Sequence, residues 1–257
     1  MASTTNENIS SPTISSCLTS SIQLISNSPK EALKSLLELQ KRSSSLHLFS
    51  KNETLPDIAT SHIPLLSIEH HLGLALIASP TSTSTERHDN VIRAIDMFHA
   101  FLRTLDSMDA LTPEIQKEYI HLMEMEDAGQ HHEEDSYMHK KTRYLGESRD
   151  TKIARFQLKR AAEEEVSRLR ALQDRRIRLS AEPEEEMDGY DDDGIQRICH
   201  IAGLHRWSVE SIDEIYTALR EMEMLKMAVE MEKQREIMNK HTGRNVSQET
   251  HFINVFI

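Results

Sequence analysis

The sequence predicts an all-α protein, an antiparallel array of helical hairpins that ends in long helices, and three observations support this class. Glycine and proline, the residues that break helices, number only 7 each among 257 residues. The strong helix formers Leu, Glu, Lys, Arg and Met are abundant. Apolar residues recur at three- and four-residue spacing along most of the chain, which is the period of an amphipathic helix.

Four amphipathic helices are predicted in the first half of the chain. They follow residues 1–16, which are rich in Ser, Thr and Asn and are expected to be a disordered lead-in. Ser28 and Pro29 indicate an N-cap followed by proline at the first helical position, and Pro113 marks a later helix start. The predicted helices cover approximately residues 29–43, 55–78, 91–102 and 113–123. Short links between them favour antiparallel neighbours.

A long basic helix is predicted over residues 149–180. This stretch contains ten Lys or Arg residues and five acidic residues, so most of its surface is expected to be solvated and positive. Its sparse apolar residues are predicted to form one narrow packed seam. They are Ile153, Phe156, Val166, Leu169 and Leu172.

An acidic segment, residues 181–194, separates the basic helix from the C-terminal helices. Eight residues between 182 and 193 are acidic, which predicts a flexible loop. Two helices are predicted after it, one around 195–201 and one from Ser208 to about Lys240, roughly 45–50 Å long at 1.5 Å per residue. Residues 17–240 are therefore expected to form a single helical domain. Residues 241–257 lose the apolar period and are expected to be an irregular tail.

Charge and hydropathy exclude several classes of protein. The formal net charge of −12 argues against binding nucleic acid, which requires a basic surface. The N-terminus lacks the pattern of a secretory signal, and the most apolar stretch is too short and too polar to cross a bilayer. The two cysteines, Cys17 and Cys199, lie far apart and fit a reducing compartment. We expect a soluble protein of the cytoplasm, with the nucleus as a second location.

Catalytic and metal-binding motifs are absent from the sequence. It contains no glycine-rich phosphate loop, nucleophile elbow or kinase signature. The run His131–Asp135 offers metal-ligand side chains, but adjacent residues on a helix diverge by about 100° and cannot all face one ion. We therefore expect no enzymatic activity, no cofactor and no metal.

The start of the basic helix is the strongest candidate for a binding site. Arg149 and Lys152 are three residues apart, so they project from one helical face. Two neighbouring cations can bind acidic side chains of a partner, and arginine can hold a carboxylate through two hydrogen bonds. Taken alone, such a pair is more often part of a solvated face.

Residues 48–60, 149–156 and 207–215 of the sequence resemble three segments of one known family, the type 2A phosphatase-associated (alpha-four/Tap) proteins. Residues 48–60, LFSKNETLPDIAT, resemble the family segment LFS-N-E-LDDI-T. Residues 149–156, RDTKIARF, match the signature R-x-x-K-I-x-R-[FY], and residues 207–215, WSVESIDEI, are similar to a late helix that begins after a tryptophan. Their order and approximate spacing also agree with the family, and the resemblance covers about residues 20–240.

This resemblance implies a tetratricopeptide-like fold and a non-catalytic regulator. Such proteins bind the catalytic subunits of type 2A, 4 and 6 phosphatases in competition with the scaffold subunit, act as chaperones for them, and connect to TOR signalling. The family's phosphatase-contacting basic pair corresponds to Arg149 and Lys152. Family members usually continue into a long polar tail, so the different end of this chain suggests a truncated or misread gene model.

Two other functions remain open at this point. A helical-repeat co-chaperone or adaptor would bind peptide tails in a groove formed by the first four helices. A self-associating coiled coil would use the Met- and Leu-rich residues 219–231. We expect the unbound protein to be a monomer.

Overall fold

A computed structural model describes residues 13–50, 53–130, 149–179 and 192–253 of the chain. These residues form seven α-helices and two short 3-10 helices, and they contain no strand. The α-helices are α1 (Ile14–Leu24), α2 (Pro29–Ser45), α3 (Ile68–Ala78), α4 (Ser84–Ser107), α5 (Pro113–Gln130), α6 (Arg149–Leu179) and α7 (Asp192–Ile253). The 3-10 helices are Leu55–Asp57 and Thr60–Ser67. The all-α prediction is therefore confirmed.

The N-terminal hairpin of α1 and α2 packs against α3. Its core contains Leu18 of α1, Leu36 and Leu39 of α2, and Leu72 of α3, each at most 2% exposed. These residues recur at helical spacing, so each helix contributes one apolar face to the shared core.

The main core lies between α4 and α7. Phe98 and Phe101 of α4 are fully buried, and Ile212 and Ile215 of α7 pack in the same apolar cluster. Residues more than a hundred positions apart in the sequence thus form one core, so α7 is part of the domain rather than an appendage.

α6 and α7 form an antiparallel pair at the side of this core. Val166 and Leu169 of α6 are each 7% exposed and pack against Ala202 of α7. Residue 155 contacts residue 213 through an ion pair. The contact nearer the N-terminus of α6, at residue 155, is made to the later residue of α7, so the two helices run in opposite directions.

Three predicted boundaries were wrong. The expected helix over 55–78 is two 3-10 helices followed by α3, because Ile58 has an extended backbone and Pro64 lies within the stretch. The two expected helices after residue 195 are one continuous helix, α7. Ser208, the expected start of the second helix, is instead inside α7 and donates its hydroxyl to the carbonyl oxygen of Leu204 at 2.8 Å.

The ends of the expected domain also differ. α1 begins at Ile14, so residues 14–16 of the expected lead-in are helical. α7 begins at Asp192 and ends at Ile253, so it includes 192–194 of the expected acidic loop and 241–253 of the expected irregular tail. Loss of apolar period marks where a helix stops packing, and the helical backbone can continue beyond that point. Residues 1–12, 180–191 and 254–257 lie outside the described residues.

Candidate partner-binding surface

A buried arginine fixes α6 against the body of the protein. Arg155 is 4% exposed, its Nε lies 3.2 Å from Oδ1 of Asp213, and its Nη1 lies 3.5 Å from Oε1 of Glu118. Its guanidinium lies 4.0 Å from the ring centroid of Tyr216. The carboxylates and the aromatic face offset the cost of burying this charge. The first two turns of α6 therefore have a defined position.

Arg149 and Lys152 lie on the outside of these two turns. Both side chains are exposed, and within the described residues neither forms an ion pair with a carboxylate. Their described neighbours three and four residues away on α6 include no acid, since Arg149 is followed by Ile153 and Lys152 by Arg155 and Phe156. Within the part of the chain that the structure describes, no carboxylate therefore neutralises these two charges.

Two other cations of α6, Arg160 and Arg168, have acidic partners within the helix. Nε of Arg160 lies 2.8 Å from Oε1 of Glu164, and Nη2 of Arg168 lies 2.6 Å from Oε1 of Glu165. These pairs at i,i+4 and i,i+3 spacing are well exposed and already balance their charges. Arg149 and Lys152 differ from these two arginines, because no described acid lies three or four residues from either of them on α6.

Two large apolar side chains share the exposed face of this pair. Ile153 is 43% exposed and Phe156 is 66% exposed. Both were predicted to belong to the packed seam, as was Leu172, which is 46% exposed. The structure corrects all three assignments and retains only Val166 and Leu169 in the seam.

The phase of the helix explains this correction. The buried positions Arg155, Val166 and Leu169 are separated by eleven and three residues, and both separations return to one face at 3.6 residues per turn. At about 100° per residue, Phe156 lies about 80–140° and Ile153 about 140–160° away from those positions around the helix axis. The sequence hides this phase, because the seam position 155 is occupied by an arginine.

A pair of buried histidines connects α3 to α7. His70 is fully buried, with its Nδ1 2.8 Å from Oγ of Ser211, and His71 donates from its Nδ1 to the carbonyl oxygen of Ser67 at 2.8 Å. Burial lowers the pKa of His70 well below its ordinary value and lowers the pKa of His71 to about 4. The contact of 3.7 Å between His70 and Glu210 is therefore not an ion pair at neutral pH, because the imidazole is uncharged.

A groove of about 660 Å³ follows one face of α2. Its lining combines apolar and charged side chains: Lys30, Leu33, Lys34, Leu37, Glu38, Lys41, Arg42 and Ser45. Four cations and one acid give it a positive balance, which fits an acidic peptide better than a neutral one.

Potential metal ligands and free thiols both occur in the described part of the chain. No group of three or more His, Cys, Asp or Glu side chains there could hold a metal ion, and His131–Asp135 lies outside the described residues. Cys17 and Cys199 are free thiols, and burial raises the pKa of Cys199. Among the described helices, none has the length and apolar character needed to cross a membrane.

Comparisons with known proteins agree with the sequence resemblance. The TAP42-like family model matches residues 6–252. One solved structure, described as "The Structure of Tap42 Alpha4 Subunit", has the same fold with a TM-score of 0.59 and 20% sequence identity, over 84% of this chain and 98% of that chain. No curated protein matches the chain significantly. The family model spans nearly the whole length of this chain, so the chain belongs to the TAP42-like family.

Proposed function

We propose that this protein binds the catalytic subunit of type 2A-like protein phosphatases through Arg149 and Lys152, in competition with the scaffold subunit. Family membership carries the coarser statement, a regulator of type 2A-type phosphatases in TOR signalling. The finer proposal includes the type 2A, 4 and 6 catalytic subunits as partners and a chaperone role toward them. It also includes a monomeric unbound state in the cytoplasm.

One observation supports the site most directly. Arg149 and Lys152 are exposed cations without a carboxylate partner in the described residues, and they lie one or two turns from the buried Arg155 that fixes their helix. A rigid helix presenting uncompensated charge loses little conformational entropy when it binds. Acidic side chains on the partner would provide the complementary charge.

Charge reversal tests the site. The variant Arg149→Glu with Lys152→Glu should lose retention of the type 2A catalytic subunit in a pull-down, because truncating or reversing well-aligned charges typically costs about 2–5 kcal/mol. Its far-ultraviolet circular dichroism should be unchanged, since both side chains are exposed. The matched control is Arg160→Glu with Arg168→Glu, which makes the same charge change on the same helix. Equal retention of the two variants would reject the site.

Competition requires a second measurement. Adding purified scaffold subunit to a preformed complex should release this protein in proportion to the scaffold concentration. A stable ternary complex in size-exclusion chromatography would contradict mutually exclusive binding. Light scattering of the unbound protein should give the mass of one chain at all concentrations tested.

A second function, an adaptor for acidic peptide tails, is favoured by the groove along α2. Deleting the C-terminal half cannot test it, because Ile212 and Ile215 of α7 belong to the main core. The suitable variant is Lys34→Glu with Lys41→Glu, which inverts the groove charge and leaves α6 intact. Loss of binding to an acidic peptide in this variant, with that binding retained after reversal at Arg149 and Lys152, would favour the adaptor function.

A further inference from the structure

We propose that Ile153 and Phe156 form the apolar anchor of the phosphatase-binding surface, and that the partner presents an apolar hollow bordered by carboxylates. This inference rests on the proposed function. It adds the type of contact that holds the complex together and the shape of the surface that the partner must offer.

The four side chains form one continuous strip on α6. Arg149, Lys152, Ile153 and Phe156 have the spacing i, i+3, i+4 and i+7, which places neighbours on one face of an α-helix. At 1.5 Å per residue the strip is about 10 Å long. Cations occupy its first turn and the aromatic ring occupies its end, so a single partner surface can contact all four.

Phe156 is the most exposed of the large apolar side chains that the structure describes on α6. It is 66% exposed, compared with 46% for Leu172 and 43% for Ile153, whereas Val166 and Leu169 are buried. The preceding residue, Arg155, is 4% exposed and is held by Asp213 and Glu118. The backbone under the ring is therefore fixed in the free protein, and burying a phenyl group there requires ordering only two side-chain torsions. Aromatic anchors on rigid supports are frequent energetic centres of protein interfaces.

Charge complementarity defines the occupant. Arg149 and Lys152 favour carboxylates, whereas Ile153 and Phe156 require an apolar hollow that a phosphate backbone does not offer. A second copy of this chain related by a two-fold axis would bring the same cations toward each other, and like charges disfavour that dimer. The strip therefore fits a protein surface in which acidic residues border an apolar hollow.

Titration of the type 2A catalytic subunit tests the anchor. Phe156→Ala and Ile153→Ala are compared with Leu172→Ala, which removes another exposed apolar side chain from the same helix. Leu172 is 46% exposed, close to the 43% of Ile153. We expect Phe156→Ala to weaken binding about 30-fold, the equivalent of the roughly 2 kcal/mol that truncating an interface hot spot costs. Leu172→Ala should bind like the unmodified protein, and Phe156→Leu should recover part of the affinity.

Salt dependence separates the apolar anchor from the cations. Across a series of salt concentrations, reversal at Arg149 and Lys152 should flatten the dependence of Kd on salt, because ionic contacts are screened. Phe156→Ala should raise Kd by the same factor at every concentration. A flattened salt dependence in Phe156→Ala would overturn the anchor, since the ring would then act through the cations.

The outcomes distinguish the two proposals. If the unmodified protein does not bind the catalytic subunit, the proposed function fails. If it binds and charge reversal weakens binding, but Phe156→Ala and Ile153→Ala match Leu172→Ala, only the anchor is rejected. Thermal melts identical to that of the unmodified protein are expected for these exposed positions. If Phe156→Ala has a lower Tm than the unmodified protein, Phe156→Gln is used in its place. Unimpaired binding of the catalytic subunit by Phe156→Gln would then overturn the anchor.

Discussion

A Cβ atom on Gly73 would lie 2.5 Å from Cε1 of Phe98, so α3 and α4 approach each other at a point where only glycine fits. The ring of Phe98 is fully buried and has little room to move. Gly73→Ala should therefore lower the free energy of unfolding by about 1–3 kcal/mol, the usual cost of overpacking a core. Urea denaturation monitored by circular dichroism measures this change.

Gly203 is the matched control. Its added Cβ would meet the ring of Trp207 at 3.7 Å, an ordinary contact distance. Both glycines lie inside α-helices, so the helix propensity gained by substitution is the same, up to about 1 kcal/mol. Gly203→Ala should thus stabilise the protein slightly, and a loss equal to that of Gly73→Ala would contradict the steric explanation.

Arg155 should be essential for stability, in contrast to its neighbours in the same signature. Arg155→Met removes the charge that compensates Asp213 and Glu118 and the cation above Tyr216. We expect a loss of about 2 kcal/mol, below the usual range for a buried pair because Asp213 is 38% exposed and also contacts Lys159. Chemical denaturation of Arg155→Met and Arg149→Met provides the comparison. The Arg149 variant should unfold like the unmodified protein.

The buried histidines predict a loss of stability in mild acid. His71 has a pKa of about 4 in the folded state and a pKa near 6.5 in the unfolded state. Between these two pH values its imidazole is protonated in the unfolded chain and neutral in the folded chain. Stability is unaffected above pH 7 and falls as the pH drops toward 4. The contribution of His71 is about 2 kcal/mol at pH 5. The depressed pKa of His70 acts in the same direction.

The measurement is the free energy of unfolding from pH 7.5 to 5. Around the two imidazoles, Glu210, Arg206 and Trp207 of α7 supply the charged and aromatic surroundings. His71→Gln should reduce the slope of stability with pH, although it lowers stability at pH 7. An unchanged slope would show that the pKa of His71 is the same in the folded and unfolded states, which contradicts the effect of burial.

The sequence predicts the positions of the helices better than the points at which they begin and end. Apolar period and the scarcity of glycine located α2, α4, α5 and α6, because packing imposes the same period on the sequence. The period failed where hydrogen bonding decides the structure. Ser208 satisfies its hydroxyl within α7, and the segment around Pro64 adopts 3-10 geometry, so neither boundary followed from hydrophobic pattern.

The candidate site was predictable in part. Arg149 and Lys152 were identified by spacing and by family resemblance, and the structure finds both exposed. Ile153 and Phe156 were assigned to the packed seam because large apolar residues are usually buried. Their exposure follows from Arg155, which occupies the seam with help from acids on α5 and α7. Tertiary partners so distant in sequence cannot be inferred from one helix.

Arg197 should hold the irregular segment after residue 54 in place. Its Nη1 donates to the carbonyl oxygen of Ile58 at 2.7 Å and its Nη2 to that of Leu55 at 2.6 Å. Charged hydrogen bonds of this kind contribute about 2 kcal/mol. Arg197→Ala should therefore raise hydrogen exchange in residues 55–67 about 30-fold, with little change in α2.

Arg197→Lys is the informative companion variant. Lysine keeps the charge, but its single ammonium group cannot reproduce the planar fork that reaches both carbonyl oxygens. Exchange in this variant should fall between that of the unmodified protein and that of Arg197→Ala. If Arg197→Lys exchanges like the unmodified protein, charge alone suffices and the paired geometry is unimportant. If even Arg197→Ala leaves the segment protected, the 3-10 helices are held by the burial of Leu55 and Ile63 instead.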